Sequence, residues 1–531
     1  MRKLLLSLMF VSVVILFVAW IGRAQAQKTQ PGASVPDSAD RAGAKASSRI
    51  VGPSSHNGSS PFDPPIETDS NFVVDSGAFL DTGCSFRSEG PLIITVPVER
   101  VVGDTNADGT LVNSTQLVNN GIVSQFATLS MPAFDVDFDA VLTPPDQPER
   151  DHVLFNGHDI GPSGSVTYLT GANNVWKFNQ FRIPIEFLRF GKLNGSSPIK
   201  GNNEIKIIID EANIPIGAED WCTAIDWVSL RFGALAPVVM VHGNNSSGAF
   251  FSDFNFIKPF QDQKIPFDNS ISMPTESISD HGDRLATLIP AIAKKFGAKH
   301  VHLVAHSKGG LDSRYFLVNT IPSNFGVLSL TTLSTPHHGS VGADYVIDAV
   351  NANALFSDDT TRTLLAQQTP PDAGTFNLRV SYLENTFNPS NQPFLPQTFT
   401  VDSETTSVSY FSFAADANLD DSVSVGNPTI QGNETAGTGH GATVMEQVYR
   451  LLGTVASTRL ETRTILGSTV YVVRETPTES FQLNDFLVTI NSARLPGFTS
   501  VPATKANHAT IANPDIGNQV IQKIRSAQPV N

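Results

Sequence analysis

Residues Ala305-His306-Ser307-Lys308-Gly309-Gly310 constrain this chain more than any other stretch. The run His300-Val301-His302-Leu303-Val304 leads into them, and Leu311 to Leu317 leaves them with a helical pattern. A strand, a tight turn and a helix joined this closely need small residues on both sides of the apex, because the two backbones nearly touch. The pattern is G-x-S-x-G with Ala305 in the first position. A turn of this kind holds the Ser307 hydroxyl where a base can reach it from one side and a carbonyl from the other. Ser307 is the candidate nucleophile.

The surroundings fit a parallel α/β sheet. Pro237-Val238-Val239-Met240-Val241 is fully apolar, as a strand covered on both faces must be. Asp283 to Phe296 carries Leu285, Leu288, Ile289, Ile292 and Phe296 on one helical face, and Gly297 supplies a stop signal. Strands follow at Val301 to Val304 and Leu328 to Leu333. Strand, helix, strand, helix, strand winds right-handed into a parallel sheet.

A serine hydroxyl needs a base, and the base needs an orienting acid, in the chain order Ser, Asp/Glu, His for this kind of turn. The histidines after Ser307 are His337, His338, His440 and His508. His508 lies in a loop before the last helical segment, Pro514 to Ile524, and Asp485 precedes it by 23 residues. Asp416 and His440 form a rival pair at nearly the same spacing. The position beside the final helix favours Asp485 with His508. An oxyanion needs backbone donors. The N–H groups of Asn244, in His242-Gly243-Asn244, and of Lys308, next to the nucleophile, are the candidates.

The first half of the chain has a different character. Met1-Arg2-Lys3, the apolar run Leu4 to Ile21 and Ala24-Gln25-Ala26 form a secretory signal over residues 1–26 with an A-x-A cleavage site; an uncleaved membrane anchor is the alternative. Residues 27–70 are a Ser/Gly/Pro/Ala linker. Residues 71–233 show short alternating runs separated by Gly, Asn, Asp and Pro, which predict an antiparallel β-sandwich of jelly-roll type. The α/β part that carries Ser307, Asp485 and His508 spans 234–531. The only cysteines, Cys84 and Cys222, are 138 residues apart, and in an exported chain they predict a disulfide. With 50 acidic and 35 basic residues the net charge is −15, and no basic stripe suggests a nucleic-acid partner.

These motifs together resemble the secreted bacterial lipases of the α/β-hydrolase superfamily, the group that includes triacylglycerol lipases and PGAP1-like proteins. The resemblance rests on Val241-His242-Gly243-Asn244, on His302 to Asp312, and on Ser334-Thr335-Pro336-His337-His338-Gly339-Ser340. It extends to Asn484-Asp485-Phe486-Leu487-Val488, which is similar to the family's N-D-G-x-V, and to Asn507-His508. It implies Ser307 as nucleophile, Asp485 as acid, His508 as base, and Asn244 with Lys308 as oxyanion donors. Phe486 stands where the family has glycine. The resemblance also implies a lipid or ester substrate, met at a lipid–water interface, with no cofactor needed for catalysis.

Some related lipases bind structural Ca²⁺. Asp104, Asn106 and Asp108, and again Asp416, Asn418 and Asp420, alternate oxygen-bearing side chains in the manner of a Ca²⁺ loop. Thr115 and Asn427 replace the closing glutamate, so solvated turns are the competing reading. His337 and His338 read as support for the core near the serine. Phe250, Phe251, Phe254, Phe256 and Phe260 are either core or the wall of an acyl pocket. Residues 341–400 are a candidate cap or lid. The β-sandwich offers a surface for carbohydrate or envelope contact.

Overall fold

The computed structural model describes residues 60–75, 84–138, 147–212, 221–352, 372–417, 444–465 and 467–530. The signal segment and most of the linker lie outside these residues. No helix among the described residues is long and apolar enough to cross a membrane.

The N-terminal strands pair in two antiparallel sheets. One contains β1 (Asn71–Asp75), β2 (Ser85–Phe86), β4 (Phe126–Phe134), β7 (Trp176–Pro184), β9 (Cys222–Ile225) and β10 (Trp227–Arg231), in the order β1-β10-β4-β9-β2 with β7 on β4. The other runs β3-β8-β5-β6, with β3 at Leu92–Val98, β5 at His152–Phe155, β6 at His158–Asp159 and β8 at Gly201–Ile208. Alternation decides what faces inward. On β3 the buried residues are Ile94, Val96 and Val98, and on β8 they include Ile205 and Ile207. Leu129 and Met131 of β4, with Val228 and Leu230 of β10, bury their side chains in the same core. Cys84 and Cys222 are joined by a disulfide, with Cα atoms 5.5 Å apart, at the β2–β9 edge. A bridge closing a loop this long contributes about 4–5 kcal/mol by chain entropy.

The second half builds a six-stranded sheet in the order β12-β11-β13-β14-β17-β21. Its strands are β11 (Val238–Val241), β12 (Phe267–Asp268), β13 (His300–His306), β14 (Gly326–Leu333), β17 (Ser409–Phe413) and β21 (Thr499–Ser500). Every pairing in it is parallel. Both faces are covered, as an all-parallel sheet requires. Val239 and Val241 face helix α1 (Ile278–Lys295) through Leu285, Ile289 and Ile292. The helix begins five residues before the expected Asp283, because the Ser277 hydroxyl caps it by accepting the Asp280 N–H at 3.1 Å. Gly297, at φ 58°, ends it as predicted.

The opposite face of the sheet, through Val238, Met240, Val304 and Leu333, shares one buried cluster with the two antiparallel sheets. Phe250, Phe251, Phe256 and Phe260 belong to that cluster, as do Ile516, Val520 and Ile524 of the last helix, α5 (Pro514–Ala527). These phenylalanines are core residues. Helices α2 (Lys308–Tyr315), α3 (Val341–Ala352) and α4 (Val444–Thr454) lie between α1 and α5 in the chain. Within the expected cap, Leu383 and Phe387 pack on Ile278 and Leu311, the latter on helix α2 after Ser307.

A buried carboxyl pair sits in the antiparallel half. Glu149 Oε1 and Asp151 Oδ2 both face the Thr223 hydroxyl, at 3.1 and 2.5 Å. Burial, and then the neighbouring Asp151, push the Glu149 carboxyl up to about 10. Burial raises Asp151 as well, so the pair holds a proton. The folded value exceeds the unfolded one, so the associated stability is complete below about pH 4.5 and is lost as pH rises toward about 10. Glu149→Gln, a neutral isostere, should raise the unfolding midpoint at pH 9 and leave it nearly unchanged at pH 5, as read by thermal melts. A midpoint for Glu149→Gln that falls equally at both pH values would contradict a protonated Glu149.

Candidate active site

Strand β13 is buried along its whole length and runs straight into Ser307, whose φ of 53° and ψ of −129° lie outside the regions open to most side-chain-bearing residues. Such a conformation costs about 1–3 kcal/mol and persists only where its neighbours enforce it. The Ser307 N–H donates to Leu333 O of β14 at 2.9 Å, and the Gly310 N–H returns to Ser307 O at 3.1 Å. The glycines are required by contact distances. A Cβ on Gly309 would stand 2.4 Å from His242 O, and one on Gly310 would stand 2.1 Å from Thr335 Oγ1. The Thr335-Pro336-His337 segment therefore packs directly on the start of α2.

Three of the expected residues meet. His508 Nε2 is 2.9 Å from Ser307 Oγ, and His508 Nδ1 is 2.9 Å from Asp485 Oδ2. A carboxylate facing Nδ1 fixes the proton there and leaves the Nε2 lone pair for the serine hydroxyl. Asp485 is 1% exposed, and its Oδ1 accepts the N–H groups of Leu487 at 3.0 Å and Val488 at 2.7 Å. The His508 N–H donates to Asp485 O at 3.0 Å. The side chain of Asn507 accepts the N–H groups of Ala509 and Thr510, each at 3.0 Å, which closes the turn bearing His508. Asn513 then caps α5 by accepting the Ile516 N–H.

The acid loop explains the family glycine that Phe486 replaces. Phe486 has φ 77°, a left-handed conformation that glycine adopts freely and phenylalanine does not. Its ring packs edge-on to Tyr449 at 6.3 Å. Tyr449 donates its hydroxyl to Asp416 Oδ1 at 2.8 Å and accepts from Asn484 Nδ2 through its carbonyl at 2.9 Å. Asp416, the rival acid, thus supports the acid loop through Tyr449. His440, Asn418 and Asp420 lie outside the described residues.

The oxyanion loop is pinned by a histidine whose side-chain role the motif did not disclose. Met273 N–H donates to His242 Nε2 at 3.0 Å, so the ring proton is on Nδ1, which donates to Gly243 O at 2.8 Å. Burial holds His242 below the ordinary histidine range, so it stays neutral. A Cβ on Gly243 would come within 2.7 Å of Ser307 Cβ, so the loop passes directly over Ser307. The Asn244 and Lys308 N–H groups have no protein acceptor among the described residues. The Lys308 side chain is fully buried, with Nζ 2.8 Å from Asp312 Oδ1 and 2.9 Å from His281 Nδ1. Sequence reasoning missed that network; the i, i+4 spacing of Lys308 and Asp312 was the available signal.

The remaining candidates fall elsewhere. Asp108 Oδ1 accepts from Thr110 N at 3.0 Å and Oγ1 at 2.7 Å, and Asn106 Nδ2 donates to Thr110 Oγ1, so Asp104 to Thr110 closes as a turn. Among the described residues no group of His, Cys, Asp or Glu is arranged to hold a metal. His337 is buried, with Nε2 3.2 Å from Thr332 Oγ1, and His338 pairs with Glu384 at 2.5 Å. A cavity of about 400 Å³ lies against the acid loop, walled by Leu487, Ser492, Val341, Val380, Leu452 and Val455.

A parallel α/β sheet with a strained serine at the end of one strand and an Asp–His pair beside it defines a class of hydrolase-type folds. The chain is similar to triacylglycerol lipases of this type. It is 45% identical over 84 residues to triacylglycerol lipase 2 of Saccharomyces cerevisiae, which is 15% of this chain and 26% of that one. It is 30% identical over 124 residues to the triacylglycerol lipases of Pseudarthrobacter phenanthrenivorans and Burkholderia plantarii, 22% of this chain and 38% and 34% of theirs. The matches thus span between a quarter and two fifths of these relatives. No family model matches the chain. Among solved structures, the mature Bacillus licheniformis lipase BlEst2 aligns with a TM-score of 0.35 and 20% identity over 55% of this chain and 91% of that one. The fold class rests on the all-parallel order β12-β11-β13-β14 of the sheet itself.

Gly243→Ala should leave the fold intact and lower the rate of serine acylation by about 100-fold, the cost of a roughly 1 Å misplacement at a reacting centre. Circular dichroism with labelling by a fluorophosphonate checks both parts, and normal labelling would contradict the close approach.

Proposed function

We propose that this chain is an exported carboxylic ester hydrolase, a triacylglycerol lipase, acting through Ser307, His508 and Asp485. The observation that carries the reading is the continuous contact Ser307 Oγ–His508 Nε2–Asp485 at 2.9 Å per step, with the Asn244 and Lys308 N–H groups lacking an acceptor among the described residues. In acylation, Ser307 Oγ bonds to the ester carbonyl carbon as its proton passes to His508 Nε2. The carbonyl oxygen becomes an oxyanion between the Asn244 and Lys308 N–H groups. Collapse breaks the bond to the alkoxy oxygen, which takes the proton from His508. Water then gives a proton to His508 and bonds to the acyl carbon, the Ser307 ester bond breaks, and Oγ recovers the proton as the acid leaves.

The relatives named as triacylglycerol lipases support an ester substrate. The cavity beside the acid loop, with Val341, Val380, Leu452 and Leu487 in its walls, supports an acyl chain there. The chemistry proposed uses side chains and backbone alone; a bound Ca²⁺ would have a structural part. Export is supported by the residues 1–26 pattern and by the disulfide. We read the two antiparallel sheets as a β-sandwich. A carbohydrate- or envelope-binding β-unit that carries the main role is the second reading. The shared hydrophobic cluster favours the first, because a unit with that much common core is a part of the catalytic body rather than a tethered module.

Hydrolysis of p-nitrophenyl esters from acetate to palmitate tests the reading. The account expects turnover that rises with chain length. It expects a fall in kcat of roughly 10⁴–10⁶ in Ser307→Ala and His508→Ala. Turnover confined to short chains would make it an esterase. Unchanged turnover in Ser307→Ala would remove the nucleophile assignment.

A further inference from the structure

We propose that His306, the residue before the nucleophile, is a positioning residue that sets the height of His508 over Ser307 by holding the His508 carbonyl. The proposal rests on the reading of Ser307 and His508 as nucleophile and base. His306 Nε2 lies 2.7 Å from His508 O. A carbonyl only accepts, so Nε2 carries the proton and Nδ1 the lone pair. Nδ1 is buried without a partner among the described residues. Burial, followed by the nearby His508, holds the proton affinity of His306 well below the ordinary range, so the ring remains neutral. A neutral ring matters, because its centroid is 4.9 Å from that of His508, which must accept a proton during turnover.

The ring is held from both sides. It stacks on Phe250 at 4.2 Å and an interplanar angle of 22°, and Phe250 lies in the helix Ala249–Asp253 that follows the oxyanion loop. The strand beneath it is fixed by parallel pairing, with Ala305 opposite Val241 and Thr332, and His306 opposite Leu333. The main chain of His508 is therefore anchored at two points. Its N–H donates to Asp485 O at 3.0 Å, and its carbonyl accepts from His306. The second anchor is one residue from Ser307 in the chain, so the distance between base and nucleophile is set by a single peptide unit and one imidazole. Without it, His508 keeps the acid loop and its own turn as supports. Those segments meet β13 through no other hydrogen bond among the described residues apart from the Oγ–Nε2 contact itself.

Two variants separate donor from packing. His306→Phe keeps an aromatic ring against Phe250 and removes the N–H, whereas His306→Gln keeps an N–H at the reach of Nε2. Active sites are first counted by fluorophosphonate titration, with Ser307→Ala as the unlabelled control, and kcat and KM are then measured per titrated site on p-nitrophenyl esters. The expected result for His306→Phe is a kcat lowered by about 10–100-fold with KM nearly unchanged, as a misplaced base gives. His306→Gln should recover most of that loss. A kcat per site in His306→Phe equal to wild type would overturn the proposal, whatever happens to the melting temperature. So would an equal loss in both variants, because the donor would then be irrelevant. Wild-type protein that the probe labels at a residue other than Ser307, or not at all, would instead remove the reading on which the proposal stands.

Discussion

The forced backbone of Ser307 is the constraint on which the rest of the site depends. A residue with a side chain held at φ 53° must be compensated by contacts, and here every compensating contact comes from an element the site also needs. Strand β14 takes its N–H, and the loop after that strand presents Thr335 to Gly310. The His242 carbonyl lies where only Gly309 leaves room for it. The loop bearing Asn244 passes over the serine because position 243 lacks a side chain. The strain thus locks the oxyanion loop, the nucleophile and the start of α2 into one rigid group. The buried Lys308–Asp312–His281 network holds that group to helix α1. A charge buried so completely is tolerated only because it is paired within the same network.

Rigidity on the other face comes from the antiparallel sheets. Their inward side chains and the facing side of the parallel sheet form one cluster, so neither layer buries its apolar surface without the other. Polar contacts follow the same boundary. Arg100 donates to Leu235 O at 2.7 Å, and its partner Asp69 is also 3.5 Å from His300. Asp69 is held far below the usual carboxylate range by His300 and Arg100 against the opposing effect of burial, which is the largest single influence on it. His302, in the next turn of the same strand's alternation, is pushed down to about 4 by burial and sits between Ser329 and Gln528 of the chain's final residues. Strand β13, which leads into Ser307, is therefore anchored from behind by Asp69 and Arg100 of the N-terminal half.

Much of this was legible from the residues. The turn chemistry of Ala305 to Gly310, the apolar strands and the helix stop at Gly297 are dictated by local rules of spacing and type, while the Cys84–Cys222 bridge was legible because these are the only two cysteines of a chain read as exported. The geometric meeting of His508 with Asp485 followed from chain order and a neighbouring helix. Other features depend on tertiary contact and left no local trace. Phe486 violates a backbone preference, and it is held by the ring of Tyr449 and by its N–H, which donates to Asn484 Oδ1 at 3.1 Å. The phenylalanines after the oxyanion loop have a pocket-like composition, yet packing against α5 makes them core. The hairpin β19 (Val455–Ile465) with β20 (Ser468–Pro477) was not anticipated, because its alternating charged and β-branched residues carry no long apolar signal. The roles of His242 and His306 depend on which atoms face them, and a motif does not encode that.

The most direct measurement is a crystal structure of the protein after reaction with a long-chain alkyl phosphonate ester. The account predicts a single covalent bond from Ser307 Oγ to phosphorus. It predicts the phosphoryl oxygen within about 2.7–3.1 Å of both the Asn244 and Lys308 N–H groups, with His508 still joined to Asp485. Phosphorus on another residue, or a phosphoryl oxygen directed away from both N–H groups, would contradict it.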